Sequence, residues 1–510
     1  VLYDNAGPSE IMVTKSIERN RPVYAEIIEK YIKYKTTRKY IDYDDLLLIV
    51  AHTLKENSEA REYISSKYDH ILVDEMQDTN PLQYQLLSSF YDNCHLFCVG
   101  DDAQSIYGFR GADFKSIHHF TKIVPNSTQQ KLTLNYRSTQ EILDLSNWLL
   151  KQSHLPYDKE LIAFRGKGLL PQLIHWDNEW EEANDVTDKI IESVMMRNEN
   201  YKDNMVLSRT IWGLKKIEVC CIKKKIPYLI FGGSGLMQSK HIRDVAAPLR
   251  IVANYHDELA WMRFLMLWPG IGEVTAAKII GEIIIKESFE ECLSTLKKLS
   301  IPEEISETLI AICDLQYNVS KAIAEAFSIM EKRLAEIYRE KNWENRRNDF
   351  KLLQEVALDS ASIAEFVAEY VLDPKLDITI RSGGKDLDHA ILSTIHSAKG
   401  LEAKNCYVIN VSTLSCPTQR SILNGEDSIE EERRCLYVAL TRAKDRLFVY
   451  RDIHSIHTDE KNEESKYYFL NNLKEDLVES VILTQARVFD RTLYKGDIIN
   501  IDIYDKLDLS

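Results

Sequence analysis

The first part of the chain repeats apolar residues every three or four positions, which is the period of an amphipathic α-helix. Ile17, Val23 and Ile27 follow this period, and the Asp-Tyr-Asp-Asp run at residues 42–45 can cap a helix before the apolar residues 46–50. We therefore predict that residues 1–54 are largely helical. Lysines and tyrosines interleave over residues 30–40, which is typical of a solvated helix face and, less often, of a nucleic-acid contact.

Two short apolar stretches, residues 70–73 and 95–99, are each followed at once by acidic side chains. Residues 81–91 between them have helical spacing, so the unit is predicted as strand, helix and parallel strand. A further strand is predicted at residues 131–134. Open α/β sheets bind their ligands at the carboxyl ends of parallel strands, which is where these acidic residues stand.

The second half of the chain alternates two kinds of pattern. Strands and helices alternate again over residues 171–231, whereas residues 236–388 are almost continuously helical in period. Short apolar strands return at residues 390–395, 406–411 and 446–450, so the helical stretch is predicted as an inserted all-helical domain. The polar tail, residues 456–510, has helical and strand-like pieces that the pattern does not place.

Composition excludes several classes of protein. The 510 residues are 45% hydrophobic and 28% charged, which is ordinary for a globular protein of about three or four domains and not for a disordered or collagen-like chain. No stretch is apolar enough for a membrane helix, so no membrane partner is expected. The nine cysteines show no zinc-ligand spacing and are predicted to be free thiols in a reducing compartment.

The net charge of −15 by itself argues against a nucleic-acid partner, because phosphate binding depends on Lys and Arg. The charge is unevenly distributed, however. Residues 236–388 carry −7 and residues 451–510 carry −5, which leaves −3 for the remaining residues. The part of the chain that holds the candidate chemistry is therefore nearly neutral, and the objection to a nucleic-acid partner is removed.

The strongest chemical signal is the Asp74-Glu75 pair, which follows the predicted buried strand at residues 70–73. One carboxylate can hold Mg²⁺ through its water shell while its neighbour orients and deprotonates an attacking water. By itself, an acidic loop that caps the next helix explains the pair equally well. About 25 residues later, Gln104 stands beside Tyr107, Phe109 and Arg110. These aromatics can stack on unpaired bases or, alternatively, seal the core of the domain.

Two arginines complete the set of candidate residues. Arg137 follows a predicted strand, and Arg442 lies in a basic run after a predicted helix. A single arginine in such a place is most often part of a surface ion pair. Two arginines brought to one nucleotide would stabilise the charge that develops on a transferred phosphoryl group.

In their order along the chain and in their amino-acid sequences, five segments resemble the signature motifs of superfamily 1 DNA helicases of the UvrD/PcrA/Rep type. The resemblance covers roughly residues 40–473. The segments that resemble motifs II, III, IV, V and VI are residues 71–80, 100–112, 135–139, 394–402 and 431–444.

The resemblance implies an α/β fold with two RecA-like, P-loop NTPase-type parallel-sheet domains and a large all-helical insertion. It divides the chain into residues 1–40 as the remnant of a helical 1B subdomain, 41–140 as the C-terminal part of RecA-like domain 1A, 141–235 with 389–455 as RecA-like domain 2A, 236–388 as the helical 2B insertion, and 456–510 as a C-terminal tail.

The resemblance also implies residue roles, with ATP and Mg²⁺ as cofactors. Asp74 would hold Mg²⁺, Glu75 would be the general base and Gln104 would sense the γ-phosphate. Arg137 and Arg442 would be arginine fingers. Tyr136 would stack on the adenine, and Glu402 would contact the ribose or the phosphates.

On the DNA side, the resemblance implies contacts to single-stranded DNA, or coupling to it, from Tyr107, Phe109, Arg110 and His396. Phe109 stands where the family usually has Trp, so weaker base stacking is expected there. The turn at Gly270 and Gly272 resembles the loop by which the helical domain grips duplex DNA. Without the resemblance, a plain inter-helix turn explains these glycines equally well.

One departure from the family pattern stands out. The chain contains no Gly-x-x-x-x-Gly-Lys-Ser/Thr phosphate loop, and in the family this loop precedes motif II by well over a hundred residues. Because motif II begins here near residue 71, the expectation is an N-terminally truncated helicase, inactive as this fragment, whose loop would lie before Val1.

The resemblance predicts an ATP-dependent 3′-to-5′ DNA helicase that acts on single-stranded DNA and single-strand/duplex junctions, in a bacterial-type cytosol or nucleoid. The alternative is a non-catalytic DNA- or protein-binding module of helicase-like fold. The intact candidate residues for ATP hydrolysis argue against that alternative, because a protein without catalysis would be free to lose them; these residues are Asp74, Glu75, Gln104, Arg137 and Arg442. A helicase–nuclease fusion is a weaker alternative, because residues 494–502 lack a complete metal-nuclease motif.

Overall fold

The computed structural model shows a mixed α/β protein with three parallel sheets among its described residues. It describes residues 21–91, 93–108, 120–124, 126–155, 157, 159–339, 343–371, 388–413, 415–453 and 468–483. The strands of these segments are β1 (His70–Val73), β2 (His95–Cys98), β3 (Leu134–Asn135), β4 (Ile162–Ala163), β5 (Gln172–Trp176), β6 (Asn204–Ser208), β7 (Tyr228–Phe231), β8 (Ala390–Thr394), β9 (Ala403–Val408), β10 (Ala443–Asp452) and β11 (Glu479–Ile482).

The largest sheet has seven strands in the order β11-β5-β10-β9-β6-β8-β7, and every neighbouring pair is parallel. All five residues of the central strand β6 are buried. Strands that are buried on both faces are typical of parallel sheets with helices on each side. The predicted α/β class with a parallel sheet is confirmed.

Helices connect and cover these strands. The helix α2 begins as predicted: the Asp42 carboxylate accepts a hydrogen bond from the Asp45 amide at 2.9 Å, and Asp45 returns one to the Asp42 amide. The α-helices are α1 (Arg21–Arg38), α2 (Tyr43–Glu56), α3 (Ser58–Ser65), α4 (Pro81–Ser88), α5 (Phe120–Ile123), α6 (Gln140–Lys151), α7 (Glu179–Arg197), α8 (Lys215–Lys224), α9 (Lys240–Ala253), α10 (Glu258–Leu265), α11 (Glu273–Ile283), α12 (Phe289–Leu296), α13 (Glu303–Asp314), α14 (Val319–Tyr338), α15 (Trp343–Val356), α16 (Ile363–Phe366), α17 (Gln419–Asn424) and α18 (Glu426–Leu440).

The segment predicted as an all-helical insertion contains helices α9–α16 and no strand in its described residues, 236–339 and 343–371. Its apolar side chains, among them Trp261 and Phe366, form one continuous core with sheet residues such as Ile174 and Tyr407. The helices therefore share a core with one face of the seven-stranded sheet. Residues 372–387, at the end of the predicted insertion, lie outside the described residues.

Strands β1 and β2 are parallel, as predicted, with His70 opposite His95. The prediction that residues 70–73 form a buried strand is wrong. Leu72 is 76% exposed and Phe97 is 64% exposed. The physical reason is that these strands form a sheet of only two, so neighbouring layers do not cover both of its faces in the described part of the chain.

Two other predictions are sharpened by the structure. The strand expected at residues 131–134 is confined to β3, which pairs with β4 in a separate two-stranded sheet. Part of the tail joins the large sheet, where β11 forms an edge strand beside β5.

All nine cysteines are free thiols, as predicted. Within the described ranges, we find no helix with the length and apolar character needed to cross a bilayer.

Candidate functional site

The loop after β1 presents Asp74 and Glu75 at the carboxyl end of the strand. Both side chains are exposed, and the Asp74 carboxylate accepts a hydrogen bond from the Glu75 amide at 2.8 Å. Glu75 has φ of 51°, a left-handed conformation that is uncommon outside glycine. The Met76 amide donates to the carbonyl of Val99 at 2.9 Å, which ties this turn to the end of β2. The two carboxylates are thus placed side by side on a constrained turn.

The loop after β2 lies against this turn and carries Gln104. The Asp101 amide donates to the side-chain oxygen of Gln77 at 2.9 Å, and Gln77 in turn donates to Glu75. The Gln104 amide group donates to the Asp101 carboxylate at 2.8 Å. A hydrogen-bonded chain therefore connects Glu75 to Gln104 through Gln77 and Asp101, although the two candidate residues are 29 positions apart in the sequence.

Arg442 approaches Gln104 from the end of α18. Its guanidinium donates to the side-chain oxygen of Gln104 at 3.4 Å and to the carbonyl oxygens of Val438 and Leu401. The residue is only 1% exposed. Burial, together with the positive charge of Arg137, lowers the pKa of Arg442 to about 10. The side chain is therefore still a cation at neutral pH, and it is held where water is scarce.

Arg137 lies beside Arg442 and is paired with Glu402. The Arg137 Nε is 2.6 Å from one Glu402 oxygen, and Lys444 Nζ is 2.6 Å from the other. Hydrogen bonds from Lys444 and then Arg137 lower the pKa of the Glu402 carboxyl below its ordinary value. The Arg137 guanidinium also donates to the carbonyl of Thr441 at 3.3 Å. Two candidate arginines and the candidate ribose contact thus belong to one charged cluster.

The aromatic side chain that is predicted to stack on adenine is exposed to solvent. Tyr136 is 66% exposed, and its ring centroid lies 4.7 Å from that of Phe164. The sequence prediction did not include Phe164. The structure shows that the second ring comes from the end of β4, so the two aromatics form an exposed pair beside Arg137.

Two candidate DNA residues meet at the next part of the loop. The Tyr107 hydroxyl donates to the carbonyl of His396 at 2.9 Å, and their ring centroids are 6.2 Å apart. Phe109 and Arg110 lie outside the described residues. Gly270 and Gly272 form the turn that enters α11, with Gly270 at φ of 79° and Gly272 as the residue before the helix. The predicted glycine turn at a helix N-terminus is present.

The sequence prediction missed several polar residues that hold these loops. Lys399, in the motif V-like segment, contacts both Glu75 and Asp78. Lys159 pairs with Asp101 and Asp102, and Arg434 donates to the carbonyl of Ser105 at 2.6 Å. Lys399 and Arg434 lie in the segments that resemble motifs V and VI, and this position could have identified them as candidate site residues. Lys159 lies in none of the motif-like segments, so no such indication existed for it.

Asp74 and Glu75 are the carboxylates of this site that could hold Mg²⁺. Among the described residues, no three His, Cys, Asp or Glu side chains are grouped as metal ligands. Mg²⁺ in nucleotide sites is usually held by one or two carboxylates together with phosphate oxygens and water. The exposed Asp74 and Glu75 side chains fit that arrangement, and Arg137 and Arg442 add positive charge to the same site.

The sequence matches two known protein families. Residues 5–125 match the UvrD/REP helicase N-terminal domain, and residues 130–451 match the UvrD-like helicase C-terminal domain. The second match alone extends over more than half of the chain.

Individual relatives agree with this assignment. A probable DNA helicase II homolog of Mycoplasma capricolum is 31% identical over 465 residues, which is 87% of this chain and 63% of the relative. The ATP-dependent DNA helicase Rep of Buchnera aphidicola is 29% identical over 84% of this chain and 67% of its own length. The ATP-dependent DNA helicase PcrA of Bacillus subtilis is 29% identical over 90% of this chain and 64% of its own. The matches thus span about two thirds of the length of these relatives. The chain belongs to the UvrD-like helicase family.

Proposed function

We propose that the protein is an ATP-dependent DNA helicase or translocase of UvrD type, which couples ATP hydrolysis to 3′-to-5′ movement on single-stranded DNA and to duplex unwinding. The single observation that carries the proposal is the contact chain from Glu75 through Gln77 and Asp101 to Gln104 and Arg442. These contacts bring together Glu75, the proposed general base, Gln104, the proposed phosphate sensor, and the buried cation Arg442 from distant parts of the sequence.

In this proposal the residues act as follows. Bound ATP with Mg²⁺ supplies the phosphoryl group that is transferred to water. Asp74 would hold the cation, and Glu75 would accept the proton of the attacking water. Arg137 and Arg442 would stabilise negative charge on the phosphates, because burial of the Arg442 guanidinium and partial burial of the Arg137 guanidinium strengthen that attraction.

The other nucleotide contacts come from exposed groups of the same region. Tyr136 would stack on the base, and its pairing with Phe164 leaves a large aromatic surface accessible. Glu402 is ionised and already paired with two cations, so its proposed contact is to the ribose hydroxyls rather than to a phosphate. On the DNA side, single strands and single-strand/duplex junctions would contact Tyr107, Phe109, Arg110 and His396, with the Gly270–Gly272 turn on the duplex.

The experiment that tests this proposal replaces the general base. In a form of the protein that also carries a phosphate-binding loop, Glu75→Gln should abolish DNA-stimulated ATP hydrolysis and retain DNA binding. Arg137→Lys is an informative companion, because it keeps the charge and loses the forked geometry that reaches Glu402 and Thr441 together. Full hydrolysis by the Glu75→Gln protein would contradict the assignment.

We further propose that the 510-residue chain by itself does not hydrolyse ATP, because it contains no phosphate loop to bind the triphosphate. A malachite-green phosphate assay with single-stranded DNA measures this directly. Robust turnover would contradict the proposal. The division into 1B, 1A, 2A, 2B and tail segments and the bacterial-type cytosolic or nucleoid location remain predictions.

The second candidate is a non-catalytic DNA- or protein-binding module of helicase-like fold. In that case, a form of the protein joined to a phosphate loop would bind DNA but show no DNA-stimulated hydrolysis. The same phosphate assay therefore separates the two candidates.

A further inference from the structure

Two aromatic rings form an exposed pair beside Arg137. Tyr136 is 66% exposed and Phe164 is 64% exposed. Their ring centroids are 4.7 Å apart, with an angle of 37° between the ring planes. Neither ring seals a core, because most of its area is accessible. Exposed aromatic rings that lie against each other are typical of a surface that binds a ligand.

The backbone around Phe164 is fixed on both sides. The Phe164 amide donates to the carbonyl of Asn135 at 2.8 Å, where β4 pairs with β3. Two residues further on, the carbonyl of Gly166 accepts a hydrogen bond from the Gln140 amide at 2.9 Å. Asn135 and Gln140 belong to the loop that carries Tyr136. Phe164 is therefore held next to Tyr136 by hydrogen bonds to the same loop.

Arg165, the residue after Phe164, joins this unit to the segments that carry the candidate arginine fingers. One guanidinium nitrogen of Arg165 donates to the carbonyl of Arg137 at 2.7 Å and to the carbonyl of Lys444 at 3.1 Å. Another donates to the Asp445 carboxylate at 2.6 Å. The aromatic pair is thus anchored to the backbone of both segments, and its position relative to the candidate arginines is fixed.

The charged side chains next to the aromatic pair favour an anionic ligand. They are four cations and two carboxylates, namely Arg137, Arg165, Arg442, Lys444, Glu402 and Asp445. Four cations against two carboxylates leave an excess of two positive charges. Arginine pairs well with phosphate, and flat rings bind a base by stacking. An aromatic surface beside an excess of positive charge therefore matches the chemistry of a nucleotide.

We propose that Phe164 and Tyr136 together form a two-ring platform for the base of a nucleoside triphosphate, and that Phe164 favours purines over pyrimidines without distinguishing adenine from guanine. This inference rests on the proposed function. The Phe164 side chain has no polar atom, so it cannot recognise the hydrogen-bonding edge of a base. Stacking instead follows the area of the rings in contact, and a purine has two fused rings where a pyrimidine has one.

The test measures nucleotide binding by the 510-residue chain and needs no hydrolysis. Saturation-transfer difference NMR detects weak ligands through their own signals and gives the dissociation constants of ATP, GTP, CTP and UTP. The wild type is expected to bind ATP and GTP within about twofold of each other, and CTP and UTP about three- to tenfold more weakly. Phe164→Ala is expected to weaken the binding of both purine nucleotides by about three- to tenfold and to bring them closer to the pyrimidine nucleotides.

Matched variants separate stacking from general effects on the surface. Phe164→Leu keeps an apolar side chain without a ring, so it is expected to bind as weakly as Phe164→Ala. Phe164→Trp keeps a ring face and is expected to match or exceed the wild-type affinity. Tyr136→Ala removes the other ring and is expected to weaken the same nucleotides. Tyr317→Ala removes a 77% exposed tyrosine between α13 and α14 and is expected to leave the affinity unchanged.

A base of single-stranded DNA has the same ring face as a nucleotide, so a second measurement distinguishes the two sources. Fluorescence anisotropy of a labelled oligodeoxyadenylate at fixed salt gives the dissociation constant for DNA. Phe164→Ala is expected to leave this constant unchanged. Weaker DNA binding by Phe164→Ala together with unchanged nucleotide binding would assign the ring to DNA and overturn the inference.

Four other results would overturn the inference. They are unchanged purine affinity in Phe164→Ala, a loss in Phe164→Ala without one in Tyr136→Ala, a clear preference of the wild type for ATP over GTP, and a wild-type chain that binds none of the four nucleotides. If circular dichroism shows that Phe164→Ala is unfolded, the comparison of Phe164→Leu with Phe164→Trp decides. The proposed function is tested separately, by hydrolysis in the Glu75→Gln protein, so the two failures are distinguishable.

Discussion

Glu182 makes the stability of the large sheet depend on pH. It lies in the first turn of α7, is 3% exposed, and accepts a hydrogen bond from the Asn410 amide at 2.8 Å. Asn410 follows β9 and has φ of 56°, so this contact holds a left-handed turn at the end of a central strand. Burial raises the pKa of the Glu182 carboxyl from its ordinary 4.5 to about 8. Glu182 is therefore protonated in the folded protein at pH 7.

The sign of the pH dependence follows from proton binding. Between pH 4.5 and about 8, the folded state holds one more proton at Glu182 than the unfolded state does, so stability falls as the pH rises. The stabilisation is complete below pH 4.5 and lost above pH 8. At about 1.4 kcal/mol for each pH unit of difference, the total is on the order of 4 to 5 kcal/mol.

The perturbation that tests this reasoning is Glu182→Gln, which keeps an oxygen to accept the Asn410 amide and cannot ionise. Urea unfolding, followed by tryptophan fluorescence at pH 5, 7 and 9, gives the free energy of unfolding of both proteins. The variant should gain stability relative to the wild type by several kcal/mol between pH 5 and pH 9. Any cost of burying its NH₂ group is the same at each pH and drops out of that comparison.

The control is Glu179→Gln in the same helical turn, where the side chain is half exposed and pairs with Lys216. It should follow the wild-type pH dependence closely. If Glu182→Gln also parallels the wild type from pH 5 to pH 9, the buried carboxyl does not carry the proposed proton and the reasoning is refuted.

Three further predictions concern single positions. Tyr107→Ala should weaken binding of single-stranded DNA by about five- to a hundredfold, and Tyr107→Phe much less, because a stacked base contributes roughly 1 to 3 kcal/mol; anisotropy titration measures it. Trp261→Ala should cost about 3 to 5 kcal/mol in urea unfolding, since Trp261 is fully buried and donates to the Tyr255 carbonyl. Gly108→Ala should speed hydrogen exchange at residues 104–108, because its Cβ would lie 2.8 Å from a Glu431 oxygen; unchanged exchange would contradict this.

The contacts across the site suggest why the motif residues are so widely spaced in the sequence. Glu75 and Gln104 come from the loops after β1 and β2, whereas Lys399, Glu431, Arg434 and Arg442 come from the last third of the chain. Each of the four distant residues contacts the Glu75 or Gln104 loop. A movement between the two parts of the chain would therefore alter several of these contacts at once.

The sequence by itself determined the local elements and the chemical candidates. Short apolar runs followed by acidic residues predicted parallel strands that end in a site, because strand formation and capping depend on nearby residues. The parallel pairing of β1 with β2, a helix cap in the run at residues 42–45 and the helical segment after residue 236 were predicted in this way. The motif order then indicated the family.

The tertiary structure alone decided which of these candidates meet. That Lys399 reaches Glu75, and that Arg442 is buried against Gln104, depends on pairings between residues more than 300 positions apart. The pattern of apolar and polar residues likewise did not predict the pairing of β11 with β5 or the exposure of Leu72. Periodicity records only which side of an element is apolar, whereas burial and ion pairing depend on what packs against that side, and distant segments supply it.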